Sequence, residues 1–86
     1  MKKRTRKLAR NDKIEVVWKD IVSASQWLTE AQRENINPAL CRTMGYFFNE
    51  DESCVRISPT INETDGDGDI IAIVKGCIVE IGRFAK

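Results

Sequence analysis

The apolar residues of this chain come in short β-branched runs, and the longest, Ile70 to Val74, is five residues. A run that short is well under the ~20 residues of a membrane-spanning helix. It is also too short for a long buried helix, so the pattern predicts a small sheet protein in which each segment buries one face. Residues 14–22, Ile-Glu-Val-Val-Trp-Lys-Asp-Ile-Val, set Ile14, Val16 and Trp18 against Glu15, Val17 and Lys19, and are read as the first strand. Residues 41–48 are the second strand, where Gly45 marks a bulge, a sharp bend or close packing. Polar residues 49–53 make a hairpin turn. Residues 54–61 are the third strand, with Val55 and Ile57 inward and Arg56 and Ser58 outward. Residues 69–74 are the fourth strand, and after Gly76 residues 78–81 form a short fifth.

One helix interrupts this series. Thr29-Glu30-Ala31-Gln32 is a capping box, in which the Thr29 hydroxyl accepts from the Gln32 N–H and the Gln32 side chain reaches back. The helix should run from about Glu30 to Ile36 and stop before Pro38. Two turns are not stable alone, so the helix is expected to dock through Leu28, Ala31 and Ile36. The fold class is mainly β with one short helix: a small curved antiparallel sheet, or an SH3-like or Sm-like barrel of four to five strands, closure being the way to remove exposed edges. A chain of 86 residues has room for one modest core.

The net charge of +1 hides a segregation. Residues 1–13 carry seven basic groups and one acid, whereas residues 14–86 carry seven basic and twelve acidic groups, a net of −5. The chain divides into a basic N-terminal arm, 1–13, and a single β-rich domain, 14–86. Lys2, Lys3, Arg4, Arg6, Lys7 and Arg10 are the arm's candidates for contact with nucleic acid or with an acidic partner. The acidic domain would repel a duplex lying beyond the arm.

Catalytic chemistry finds few groups. There is no histidine, which removes Ser-His, Cys-His and His-metal arrangements. Cys41, Cys54 and Cys77 are widely spaced and are expected as reduced, mostly buried thiols of a cytosol-like compartment, with no metal and no cofactor. No apolar h-region of a signal peptide follows the basic start. Glu63 to Ile70 imitates the first eight positions of a calcium loop, but Val74 stands where the bidentate glutamate belongs, so the segment reads as a flexible acidic hairpin loop. Tyr46, Phe47 and Phe48 are consecutive and must split between two faces; only Arg42 and Arg56 are near enough to support a stacking platform. Trp18 and Trp27 both read first as core residues. Trp27, just outside the helix cap, is the better candidate for a pocket or interface.

Val16-Val17-Trp18-Lys19-Asp20-Ile21-Val22, Trp27, Pro38-Ala39-Leu40-Cys41, Met44-Gly45-Tyr46-Phe47 and the run Val74 to Ile81 carry a resemblance. Together they resemble small accessory proteins of tailed bacteriophages with a W-x-D start, a second Trp, a P-A-x-C step, a Gly-aromatic strand and an ending like I-P-K-G-C-I-x-x-I. The match spans residues 14–81 and departs where Lys75 follows Val74 directly instead of a proline. The Lys75-Gly76 step is also similar to the second signature of Sm-like RNA-binding rings, with the following hydrophobic spacing one residue short. The phage resemblance implies a non-catalytic protein of the host cell cytoplasm that binds a host protein or a small anionic ligand such as a cyclic nucleotide. A chain this small has few ways to form a deep pocket alone, so a homo-oligomer with a site between subunits is expected, and Trp27, Arg42, Tyr46, Arg56 and Lys75 are the candidate ligand- or partner-binding residues. A Sm-like or SH3-like nucleic-acid-binding module is the alternative.

Overall fold

A computed structural model describes residues 7–84. Its sheet has five antiparallel strands: β1 (Lys13–Asp20), β2 (Ala39–Glu50), β3 (Cys54–Ser58), β4 (Ile71–Val74) and β5 (Ile78–Arg83), with α1 (Glu30–Glu34) between β1 and β2. The spatial order is β4-β3-β2-β1-β5. β4 and β5 are therefore opposite edges, yet only a three-residue 3-10 turn, Lys75–Cys77, joins them. A flat sheet would hold those edges about 19 Å apart, whereas the four Cα steps from Val74 to Ile78 reach at most ~14 Å. The sheet must curl, and the expected small curved antiparallel sheet is what forms. No ladder joins β4 to β5, so the sheet is not closed among the described residues.

The concave face carries the core. Ile14 and Val16 on β1 and Val55 and Ile57 on β3 are completely buried, joined by Phe47, Ile73, Ile78 and Ile81. Burial of each such side chain contributes about 1.5–3 kcal/mol. Gly45 lies where β2 crosses this core: a Cβ there would stand 2.7 Å from Ile57 Cγ2 and 2.8 Å from the Ser58 carbonyl oxygen. Close packing is thus the reason for the glycine. The bulge falls three residues later, where the β2–β3 register shifts between Phe47 and Asn49. Phe47 enters the core while Phe48 stays exposed, the split expected of the aromatic run.

Several boundaries move. β1 ends at Asp20 rather than Val22: its last partner is Ala39, and Pro38 before it has no N–H to extend the ladder. The Asp20 carboxylate instead accepts the Ile21 N–H at 2.8 Å. β3 ends at Ser58, where Pro59 follows. Ser58 was expected to face outward and is buried, opposite Tyr46 and beside the Gly45 crossing. β2 gains residues at both ends.

The described part of the basic arm belongs to the domain. Leu8 is buried in the core. Asn11, at φ 72°, turns the chain in the left-handed region that Asn tolerates. The Asp12 carboxylate accepts the Ala9 N–H at 2.7 Å. Asn11 N–H donates to Phe47 O at 2.7 Å, and Phe47 N–H donates to Asp12 O at 2.8 Å, so this segment prolongs the β1–β2 pairing. Arg83 pairs with Asp12 from β5.

Candidate binding surface

The connection from Asp20 to Ala39 differs from the rest of the domain. Within residues 21–38 only Leu28 is even half-buried; every other residue is exposed. The capping box forms as the sequence requires: Gln32 N–H donates to Thr29 Oγ1 at 3.1 Å, and Thr29 N–H donates to Gln32 Oε1 at 2.9 Å. At the other end Asn35 Nδ2 donates to Ala31 O at 3.0 Å. The helix stops at Glu34 rather than Ile36, and none of its residues is buried. Its expected docking through Leu28, Ala31 and Ile36 does not occur. Local hydrogen bonds shape this segment, and tertiary packing does not.

Trp27 overturns its reading as a core residue: its relative exposure is 101%, equal to a free side chain. It stands with Ala24, Ser25, Gln26, Leu28 and Arg33 around an open cleft of about 560 Å³. Ile21 at 86% and Leu40 at 67% continue the apolar surface toward the base of the segment, with Val22 and Ile36 also exposed. Trp18, in contrast, packs against the core and donates its indole N–H to Thr43 Oγ1 at 2.9 Å.

The cationic residues expected around an anionic ligand are each committed to an acid. Arg42 pairs with Glu15 at 2.9 Å across β1–β2. Lys75 pairs with Glu50 at 2.9 Å. Arg56 donates to Asn49 at 3.0 Å and to Asp51 at 2.9 Å. The Asp51 carboxyl is held well below the usual carboxylate range, first by the Ser53 backbone N–H, then by Arg56 and by further bonds from Cys54 N–H and the Ser53 hydroxyl. Asp51 also raises Arg56 above its ordinary value. Such exposed pairs add little stability, about 0–1 kcal/mol each. Their consequence is electrical: each cation's field is offset locally.

Tyr46 is half-buried on the outer face, beside a small cleft with Asn11, Asn62, Glu63 and Gly66. It is not gathered with Trp27. Of the arm's candidates, Lys2, Lys3, Arg4 and Arg6 lie outside the described residues; Lys7 is exposed. Arg10 is engaged: its Nε donates to Phe48 O at 2.5 Å, and its guanidinium sits 4.1 Å from the Phe48 ring centroid.

Two carboxylates of the acidic loop accept from nearby backbone. Asp69 accepts Thr60 N–H, and Asp65 accepts Asp67 N–H, both at 2.9 Å. Gly68 bridges Ile61, and a Cβ there would meet Thr60 O at 2.6 Å. Cys41 and Cys54 are half-buried and Cys77 is exposed, so the thiols are free but less enclosed than expected. No helix among the described residues is long and apolar enough to cross a membrane. Comparison with protein-family models, curated proteins and solved structures gives no significant match.

Proposed function

We propose that this chain is a non-catalytic accessory protein that binds a protein partner through the apolar segment between β1 and β2, with Trp27 as its anchor. The observation that carries the proposal is the full exposure of Trp27 on a locally capped but undocked helical segment. Exposed tryptophan is costly in water and is the residue type most enriched at binding hot spots. The phage-type pattern over residues 14–81 supports a host protein as the partner, bound and inhibited in the cytoplasm of the infected cell. A host nucleotide is the weaker ligand, because Arg42, Arg56 and Lys75 already face carboxylates. The fold is read as an SH3-like or Sm-like barrel left open between β4 and β5. The strand order and the 3-10 turn between the two edge strands support that reading.

The test is affinity capture from host cells with wild type, Trp27→Ala and Arg42→Ala as baits, followed by extraction of bound small molecules. A stoichiometric host protein held by wild type and Arg42→Ala and lost from Trp27→Ala is expected. A nucleotide in the extract, or equal capture by Trp27→Ala, contradicts the proposal.

A further inference from the structure

The base of the exposed segment lies beside a groove. β5 pairs with β1 only as far as Trp18, opposite Ile78, and the register shifts between Val17 and Trp18. Lys19 and Asp20 therefore continue past the end of β5 with no strand beside them on that edge. The gap is a groove of about 460 Å³, with Ile21, Pro38, Ile78 and Val79 as its apolar lining and Cys77 at its wall. That volume is in the range of sites that enclose a small molecule, roughly 300–1,000 Å³. Asp20 also lines it, and its Oδ1 accepts the Ile21 N–H.

We infer that two copies of the chain exchange these segments, Trp27 of each seating in the Ile21–Pro38–Val79 groove of the other. The inference rests on the reading of this segment as a contact surface: a second copy covers Trp27 until a host partner displaces it, so the two occupants exclude one another. Three observations converge on a second copy. The first is area. Trp27 offers roughly 250 Å², and with Ile21, Val22, Ile36 and Leu40 the exposed apolar side chains reach the order of 700 Å², near the roughly 800 Å² per partner of a standard interface.

The second is reciprocity. Ile21 and Pro38 belong both to the stalk of the segment and to the groove, so a two-fold arrangement covers donor and acceptor surfaces in one step. The third is charge. Arg33 shares the Trp27 cleft, while Asp20 lines the groove; Glu30 and Glu34 flank Arg33 on the helix, while Lys19 lines the groove with Asp20. Seating Trp27 thus brings Arg33, which shares its cleft, to the groove that Asp20 lines, and the second Asp20 oxygen accepts the indole N–H.

Sedimentation at about 100 µM tests this, a concentration above the weakest Kd, near µM, of a standard-size interface. Wild type is expected as a dimer and Trp27→Ala as a monomer with unchanged circular dichroism. Gln26→Cys, which keeps Trp27, should cross-link between copies with a short bis-maleimide, and Gln26→Cys/Cys77→Ser should lose at least tenfold of that product. A monomeric wild type, a Trp27→Ala dimer, or a cross-link that survives loss of Cys77 overturns the inference. A monomeric wild type that still captures a host protein through Trp27 refutes the exchange alone. A Trp27-dependent dimer that captures nothing refutes the host-protein reading and leaves the exchange standing.

Discussion

The sheet and the β1–β2 segment use the same residue types to opposite ends. In the sheet, Ile14, Val16, Val55 and Ile57 are fully buried. In the segment, Ile21, Val22, Trp27 and Ile36 are all exposed. The sheet is held by long-range pairs such as Ile57 with Phe47 and Ile81 with Val16. The segment is held by bonds reaching three or four residues, Thr29 with Gln32 and Ala31 with Asn35. One region is complete by itself, and the other has its shape but not its packing. A capped helix of five residues gains too little from propensity to persist without burial. Its apolar side chains are exposed among the described residues, which is the observation the proposed contact surface rests on.

Breaking the sheet should have the largest effect. Gly45→Val drives a side chain into Ile57 and the Ser58 carbonyl, and should cost more than about 3 kcal/mol or prevent folding. Chemical denaturation measures it; a change under about 1 kcal/mol would mean β2 and β3 part easily. Leu8→Ala should cost about 2–3 kcal/mol by removing a buried contact from the core. The same denaturation series would show no change if residues 7–12 were a loose tail.

Asp51 gives a pH-dependent effect of smaller size. Its folded-state carboxyl titrates below its unfolded value, so its stabilising contribution is complete above an ordinary aspartate pKa, about 4, and is lost as the pH falls through the acid range below it. Wild type should exceed Asp51→Asn in stability at neutral pH, and the difference should shrink in acid. A difference that stays constant across that range contradicts the assignment. Trp27→Ala should have the least effect on the folding of the dilute, monomeric chain, within about 0.5 kcal/mol, because the ring is fully exposed in the single chain. A loss of 2 kcal/mol or more would erase the contrast between the two regions.

The parts of this fold legible in the sequence were those encoded locally. The alternation of Val55 and Ile57 with Arg56 gave the inward face of β3, and Thr29 with Gln32 gave the helix start. What was hidden depended on distant partners. Leu8 has no apolar neighbour at strand or helix spacing, yet the Asp12–Phe47 bond carries it into the core. Ser58 continues an alternation that should face solvent, yet it is buried opposite Tyr46. The candidate site was half legible. Trp27 stood out by its position before the cap, but its exposure follows from the failure of α1 to dock, which no local pattern records. Arg42, Arg56 and Lys75 are legible as cations. Their carboxylate partners Glu15, Asp51 and Glu50 come from strand register and turn geometry.

Native-state hydrogen exchange on the dilute free chain tests the division most directly. Amides of β1, β2 and β3 should exchange only through global unfolding, while Arg33 and Asn35, two of the hydrogen-bonded amides of the helical turn, should exchange within about tenfold of unstructured rates. Protection of Arg33 and Asn35 equal to that of Val55 and Ile57 would contradict the account, because the segment would then be packed on its own sheet.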